Sequence, residues 1–290
     1  MDVVVLALVA GIAFAGVNVA IQMGYTRYPD IELGGVTAAL IAIAMATIVA
    51  AATRIDLTDV GFDDVWPFLV IGVFVPGASQ ILYVHGIRLA GASRTGIVLG
   101  TSPLLAALLA LAFLDEPFSV PLAIGTLLIV AAGVTLAYER ARPANFRALG
   151  IGLALSVAIM LAFRDNLVRR LVTETDLPPV GRSVALLGGC CILLLTYIAI
   201  TRGSRALGNL RHSFKPFWPA GIFMGIVYIA LIAALDRGKV TIVAPLNGTN
   251  ALWTVVLAAV FLRRTEAIGP RLVLAAVLTV AGSALVTAFR

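Results

Sequence analysis

Three polar residues in a row, Arg164, Asp165 and Asn166, follow sixteen uncharged residues at positions 148–163. A guanidinium and a carboxylate inside a membrane-length apolar segment can bind a substrate of opposite charge or transfer a proton. Asp165 precedes Arg169 by four positions, so we expect these two side chains to pair on one helix face. Arg164 points about 100° away from Asp165 and needs another explanation. Either it extends to the nearer membrane surface, or it binds an anion from another helix or from a substrate, for which a carboxylate is the natural choice.

Polar residues elsewhere in the apolar segments also fall at helical spacing. Asn18 and Gln22 are four positions apart, and Asn247, Asn250 and Thr254 follow a spacing of three and then four. Residues at these spacings share one face of a helix. Each polar face indicates either the wall of a cavity or an interhelical hydrogen bond that contributes about 0.6 kcal/mol. The sequence leaves both interpretations open.

A proline next to small polar residues occurs at matching places in the two halves of the chain. Thr101, Ser102 and Pro103 are consecutive in the first half, and Pro245 precedes Asn247 in the second. A proline frees a backbone carbonyl inside a helix, and a matched pair of such interruptions indicates a binding site. With the aromatic side chains nearby, these patterns predict nine substrate-binding residues: Asn18, Gln22, Tyr83, Ser102, Arg164, Tyr228, Asn247, Asn250 and Trp253.

Two residues are candidates for proton coupling, His85 and Asp165. His85 is the only histidine within an apolar segment, and an imidazole titrates near neutral pH. The alternative for His85 is an ordinary hydrogen bond near the membrane surface. Asp165 is the only carboxylate deep in an apolar segment.

Sequence signals for catalysis, metals and cofactors are lacking. The apolar segments hold no paired carboxylates, no histidine-rich cluster and no serine–histidine arrangement at a readable spacing. The chain has no P-loop, so nothing indicates direct use of ATP. The adjacent Cys190 and Cys191 suit neither a disulfide framework nor a metal site. We therefore expect a protein that is not an enzyme and that binds no cofactor, no metal and no nucleic acid.

The elements that position these residues follow from composition. Hydrophobic residues make up 61% of the 290 residues and charged residues 12%, and the mean hydropathy is +1.04. A soluble domain carries about twice that share of charge. A helix needs about 20 apolar residues to cross the roughly 30 Å hydrocarbon layer. Division at the charged gaps therefore predicts an all-α polytopic membrane protein with ten transmembrane helices, near positions 3–24, 33–53, 66–88, 95–114, 118–138, 148–170, 183–201, 216–235, 240–262 and 267–289.

The two halves of the chain resemble each other in sequence. YVHGIRLAGASRTGIVLG, from Tyr83, corresponds to YIALIAALDRGKVTIVAPLNG, from Tyr228. Five segments per half is an odd number, so the two halves must enter the membrane in opposite directions. Such an inverted repeat places a substrate site between the halves, near the middle of the membrane. We expect the first five-helix repeat at residues 1–140 and the second at residues 147–290.

The order and spacing of these motifs resemble the EamA-type transporters of the drug/metabolite transporter (DMT) superfamily. The first half carries Y-x-x-G-x-R-x-x-x-A-S and then T-S-P-L-x-A-A-L-L-A-L-x-F-L-x-E, and the second carries AALDRGKVTIVAPLNGTN. The resemblance covers essentially the whole chain. One departure is the turn LRRTE, where the family usually has a Leu-Gly-Glu-Arg-like turn, so that the acid is displaced to Glu266. Membership implies a ten-span secondary transporter of small metabolites.

The resemblance and the candidate residues together predict a secondary active transporter that works by alternating access. Amides, hydroxyls, aromatics and one buried cation suit an amino acid or a related zwitterion or anion, and we expect export. One alternative is a transporter of cationic drugs or quaternary amines, which would need an aromatic cage with a free carboxylate. The other is a membrane-embedded enzyme or lipid-handling protein that uses Asp236 or Glu139 at the membrane boundary.

The expected setting is the lipid bilayer of a bacterial inner membrane. We expect a multi-pass monomer or homodimer, with a small-molecule substrate and a proton or another ion as its coupling partner. The resemblance implies that both termini are cytoplasmic. More Lys and Arg residues lie on the side opposite the termini, and the positive-inside rule would make that side cytoplasmic. We expect the orientation of the family.

Overall fold

The computed structural model describes residues 2–53, 60–105, 120–137, 146–172, 174–203, 208–238, 240–262 and 269–288. All regular secondary structure within these ranges is helical. The helices of the first half are α1 (Val3–Arg27), α2 (Ile31–Ala52), α3 (Phe62–Gly72), α4 (Ser79–Ala90), α5 (Ala92–Leu99) and α6 (Val120–Ala137). Those of the second half are α7 (Leu149–Val172), α8 (Pro179–Arg202), α9 (Leu210–Arg237), α10 (Val240–Gly248), α11 (Asn250–Phe261) and α12 (Pro270–Ala288).

The described helices account for the predicted spans. Six stretches in the described part of the chain are long and apolar enough to cross a membrane, namely α1, α2, Phe62–Ala90, α7, α8 and α9. In Phe62–Ala90, a π-helical turn, Val73–Ala78, joins α3 to α4. The shorter helices α5, α6, α10, α11 and α12 overlap the remaining predicted spans, and residues 106–114 of the span 95–114 lie outside the described residues. An all-α polytopic membrane fold is thus confirmed, and the repeat limits at 140 and 147 stay a prediction.

Several helix ends coincide with residues that complete the backbone hydrogen bonding. Asp2 and Asp30 cap α1 and α2 by accepting hydrogen bonds from the backbone N–H groups of Val4 at 3.3 Å and Leu33 at 3.2 Å. Gly91 ends α4 with a φ of 88°, a left-handed conformation that favours glycine. Such ends matter because hydrocarbon offers no hydrogen-bond partner to a free backbone group.

The helix bundle has two ends, which lie on opposite sides of the membrane. At the N-terminal end α1 begins, and a Cβ atom on Gly238, just after α9, would lie 2.4 Å from the side chain of Val3. At the opposite end, a three-residue turn at 28–30 connects α1 to α2. α8 runs from the N-terminal end to the opposite end, where its last residue, Arg202, contacts Asp30 at 2.7 Å.

α3 and α8 are in backbone contact. A Cβ atom on Gly72 would lie 2.1 Å from the carbonyl oxygen of Leu186, and one on Gly189 would lie 2.0 Å from that of Leu69. No side chain fits at either glycine, so both helices need this residue for their close approach. The largest buried apolar cluster draws mainly on α1, α2, α4, α7, α8 and α9. A few polar side chains are embedded in this apolar core.

Candidate substrate site

A small cavity lies at the centre of the bundle, between α1, the π-helical turn, α4, α7 and α9. Its volume is about 40 Å³. A buried water molecule needs roughly 10–15 Å³ measured in this way, and a ligand pocket usually encloses roughly 300–1,000 Å³. The cavity can therefore hold water but is too small for a metabolite. Most of the wall is apolar, and its polar side chains are Ser79, Gln80, Tyr83, Arg164 and Tyr228.

Arg164 is the only charged side chain in the described wall of this cavity. Its Nε and Nη2 atoms donate hydrogen bonds to Oδ1 of Asp165 at 2.9 and 2.7 Å. Its Nη1 atom donates to the hydroxyl oxygen of Tyr228 at 3.2 Å, and its guanidinium carbon lies 5.7 Å from the centroid of that ring. Arg164 is only 3% exposed. It therefore does not extend to the membrane surface.

The predicted pairing of Asp165 with Arg169 is wrong. Asp165 pairs with Arg164, while Nη1 of Arg169 donates to the backbone carbonyl of Leu235 at 2.9 Å. The Cβ atoms of neighbouring residues do diverge on a helix, but the long arginine side chain bends back to the carboxylate. Inside the core the attraction between opposite charges is much stronger than at the membrane surface, because the dielectric constant is low. Burial thus outweighs helical spacing in this pair.

A chain of hydrogen bonds lies behind the cavity wall. The hydroxyl of Tyr83 donates to Oδ1 of Asn18 at 2.7 Å, and Nδ2 of Asn18 donates to Oγ1 of Thr254 at 2.9 Å. Thr254 donates to the carbonyl of Asn250 at 2.7 Å, and Nδ2 of Asn250 donates to the carbonyl of Asn247 at 2.9 Å. Of these five residues only Tyr83 lines the cavity. The network connects α1 and α4 to the break between α10 and α11.

The side-chain oxygens of Asn247 and Asn250 are buried and have no hydrogen-bond partner in the described part of the chain. Both residues adjoin the helix break at Thr249, as the proline pattern in the sequence had indicated. Neither residue lines the central cavity.

Three predicted substrate residues lie away from the cavity. Gln22 is buried, and its Oε1 atom has no hydrogen-bond partner in the described part of the chain. Ser102 is half-buried near the start of the helical residues 102–105. Trp253 is 37% exposed on the outside of α11. The structure thus brings Tyr83, Arg164 and Tyr228 to one cavity, while these three and the network residues Asn18, Asn247 and Asn250 do not line it.

His85 belongs to a charged cluster at the opposite end of the bundle. Its Nε2 atom lies 3.4 Å from Oε1 of Glu32. Nη1 of Arg202 lies 2.7 Å from Oδ2 of Asp30, and Nη2 of Arg202 pairs with Oε2 of Glu32. The hydroxyl of Tyr197 also donates to Glu32, at 3.4 Å. Asp30, Glu32, His85 and Arg202, called here the opposite-end cluster, tie α2 and α4 to the last turn of α8.

A second ion pair closes the N-terminal end. Nη1 of Arg182, at the start of α8, pairs with Oδ1 of Asp236 at the end of α9. Nη2 of Arg182 donates to the carbonyl oxygens of Thr175 at 3.1 Å and Val172 at 3.4 Å. Its guanidinium carbon also lies 5.8 Å from the ring centroid of Phe68 in α3. Arg182 and Asp236, called here the N-terminal cluster, join the start of α8 to α9.

Sequence reasoning did not identify Gln80 or the two clusters as parts of the site. Gln80 stands three positions before Tyr83, a spacing that puts both on one face of α4. Arg182 falls one residue before the predicted span 183–201, so it was assigned to a loop. Its partner Asp236 is 54 positions away, and no local pattern could have linked the two.

Comparison with known proteins gives a family and a fold. The sequence profile of the EamA-like transporter family matches residues 2–138 and 148–288. Among curated protein sequences, none matches this chain. A crystal structure of another protein superposes on this chain with a TM-score of 0.69 at 19% sequence identity, covering 99% of this chain and 96% of that chain. At that identity the likeness concerns the fold and carries nothing about substrate.

Proposed function

The chain belongs to the EamA-like transporter family, and on this premise we propose that it is a secondary active transporter of a small carboxylate-bearing metabolite. The substrate is an amino acid or a related zwitterion or anion. It binds in the central cavity and crosses by alternating access, in the direction of export across a bacterial inner membrane. The single observation that carries this proposal is the buried Arg164 in the cavity wall.

Arg164 supports a carboxylate substrate because its present partner is a carboxylate. Asp165 accepts two hydrogen bonds from the guanidinium through one oxygen atom, Oδ1. A substrate carboxylate offers two acceptors in the planar geometry that a guanidinium binds best. It can therefore take over the hydrogen bonds that Arg164 now donates to Asp165.

When a substrate carboxylate displaces Asp165 from Arg164, the charge of Asp165 must be balanced in another way. A displaced Asp165 would be an unpaired charge in the core, which is costly. An amino acid resolves this by presenting an ammonium group to Asp165 while its carboxylate binds Arg164. A purely anionic substrate resolves it when Asp165 takes up a proton. Asp165 is accordingly the residue through which we expect proton coupling.

The closed ends support alternating access. The cavity of about 40 Å³ lies between the opposite-end cluster and the N-terminal cluster, and both clusters are ion-paired. A transporter that alternates between two open states passes through a state in which both ends are closed. This geometry is the one expected of that intermediate.

The two alternatives have less support. Phe14 and Tyr83 form an aromatic pair with centroids 6.1 Å apart, which suits a cation, but this alternative also needs a free carboxylate, and Asp165 is paired with Arg164. The enzyme or lipid-handling alternative relies on Asp236 or Glu139. Asp236 is engaged by Arg182, and Glu139 lies outside the described residues.

Transport into proteoliposomes tests the proposal. Purified protein is reconstituted and given a panel of labelled amino acids, organic anions and quaternary amines, with and without a pH gradient and in both directions. We expect a carboxylate-bearing compound to move and Arg164→Gln to abolish its movement. The matched control is Arg170→Gln, because the Arg170 side chain is 78% exposed at the end of the same helix. Movement of quaternary amines alone, unaffected by Arg164→Gln, would contradict the proposal, and so would no movement under any gradient.

A further inference from the structure

We infer that three residues define the two routes out of the central cavity. Gln80 lines the route to the opposite end, Arg202 closes that route, and Arg182 closes the route to the N-terminal end. The inference deepens the proposed function and rests on it, because it names the residues that control which side of the membrane the substrate reaches.

Gln80 connects the central cavity to a second space. This second space is a gap of about 10 Å³ between α2, α4 and α8, and its polar side chains are Glu32, Gln80 and Tyr197. Gln80 lines both spaces. Its Nε2 atom is buried and has no hydrogen-bond partner in the described ranges. A buried donor with no partner is costly unless it serves a ligand. At this position it can donate to a carboxylate that leaves Arg164.

The opposite-end cluster closes this route. The gap lies between α2, α4 and α8, and the cluster ties these same three helices together. Arg202 belongs to the second half of the chain, and its partners Asp30 and Glu32 belong to the first. Widening the gap therefore requires Arg202 to leave its two carboxylates. Loss of the guanidinium should favour the state that is open at the opposite end.

The N-terminal cluster closes the other route. Arg182 is 4% exposed and holds the last turn of α9 through Asp236. Arg169 adds a second tie, since it donates to the carbonyl of Leu235 in that turn. Arg164 and Tyr228 lie on the two helices, α7 and α9, that these ties hold together. A substrate leaving Arg164 towards the N-terminal end must pass between them.

Both closing arginines belong to one helix. Arg182 and Arg202 are 20 positions apart on α8, about 30 Å along the axis, which is roughly the thickness of the hydrocarbon layer. Removal of either arginine should thus shift the conformational equilibrium, and the two shifts should have opposite directions.

Accessibility of a cysteine in the cavity measures these shifts without any substrate. Val157→Cys places a thiol in the cavity wall, and Cys190→Ala with Cys191→Ala removes the native thiols. A membrane-impermeant thiosulfonate is added from one side or the other of vesicles of known orientation. We expect Arg202→Gln to raise the labelling rate about tenfold from the opposite end and to lower it from the N-terminal end. Arg182→Gln should do the reverse.

Controls and a second variant keep this test decisive. Arg211→Gln at the opposite end and Arg170→Gln at the N-terminal end change exposed arginines outside both clusters, and neither should alter labelling. If Arg182→Gln does not fold, Asp236→Asn removes the same ion pair from its more exposed side. Labelling that rises from the same side in both variants, or in neither, would overturn the inference. This result is independent of whether any carboxylate is transported.

The role of Gln80 needs a transport measurement. Gln80→Leu keeps the volume but removes the donor, and we expect it to slow carboxylate transport about tenfold without the opposite labelling shifts from the two sides that the arginine variants give. Gln80→Glu should slow it further, because a second carboxylate repels the substrate in the gap. Transport at the wild-type rate in Gln80→Glu would show that the route does not pass this residue. If no compound is transported but the labelling shifts occur as expected, the result contradicts the proposed function. The inferred roles of Arg182 and Arg202 would still stand.

Discussion

Oδ1 of Asp165 accepts two hydrogen bonds from Arg164, the residue that immediately precedes it, at 2.9 Å from Nε and 2.7 Å from Nη2. Each of the two charges offsets the other inside an apolar core. The arrangement leaves the cavity wall with a cation that is already neutralised. On the proposed function, substrate binding exchanges one carboxylate for another, so Arg164 and Asp165 can be tested separately.

Arg164→Gln should abolish carboxylate transport and destabilise the protein, because it leaves Asp165 as an unpaired charge in the core. The loss of stability should be about 3–5 kcal/mol, measured as a lower melting temperature in detergent. Arg164→Gln combined with Asp165→Asn removes both charges, so we expect it to regain most of that stability while transport stays absent. A double variant that transports at the wild-type rate would show that Arg164 serves the fold alone.

Asp165→Asn should separate transport from proton movement. On the proposed function, Asp165 takes up a proton when an anionic substrate occupies Arg164, so a proton and the substrate move together. The asparagine cannot take up that proton, so the anion should move without an accompanying proton flux. A pH-sensitive dye inside the proteoliposomes reports the proton flux directly. An unchanged ratio of protons to substrate in Asp165→Asn would exclude this carboxylate as the coupling group.

Tyr83→Phe should weaken the network behind the cavity without removing a charge. The substitution leaves Oδ1 of Asn18 buried and without the hydroxyl donor that now lies 2.7 Å away, at a cost of about 1–3 kcal/mol. The melting temperature should fall accordingly. Tyr25→Phe is the control, because phenylalanine keeps the ring that lies 5.9 Å from the guanidinium carbon of Arg88. Equal melting temperatures for the two variants would mean that the network contributes little to stability.

Gly189→Ala should prevent α3 and α8 from packing. The added methyl group would lie 2.0 Å from the carbonyl oxygen of Leu69, and a backbone atom cannot move aside as a side chain does. We expect destabilisation of about 3 kcal/mol or more. Gly152→Ala is the matched control, because an added Cβ there meets nothing within 4 Å and alanine favours a helix over glycine by roughly 0.5–1 kcal/mol. Similar yields of folded protein from both variants would argue against the close contact.

Much of the fold was predictable from the sequence, because hydrocarbon imposes a simple rule on the backbone. Apolar segments of about 20 residues must form helices there, and the helices do occupy the predicted spans. Position along the chain also identified Tyr83, Arg164 and Tyr228, whose side chains share the cavity wall. The types of these three residues and their positions in the two halves were sufficient to predict that they lie near each other. Their binding of a substrate stays a prediction.

The partners of charged residues were not predictable in the same way. Helical spacing favoured Asp165 with Arg169, but burial brought Asp165 to its direct neighbour. Asp236 falls one position after the predicted span 216–235, yet it pairs with Arg182 across 54 positions of sequence. A partner on another helix depends on how the helices pack, and one sequence does not contain that packing explicitly.

The glycine contact between α3 and α8 lies close to the midpoint of α8. Gly189 is ten positions from Pro179 and thirteen from Arg202, so α8 can tilt as a rigid body about its backbone contact with α3. The helix is about 36 Å long, and a tilt of about 10° around this contact displaces Arg202 by roughly 3 Å and Arg182 by roughly 2 Å, in opposite directions. That displacement exceeds what an ion pair tolerates. A rigid-body tilt of α8 can thus strengthen the ion pair of one arginine while it breaks the ion pair of the other. The helix does not need to bend.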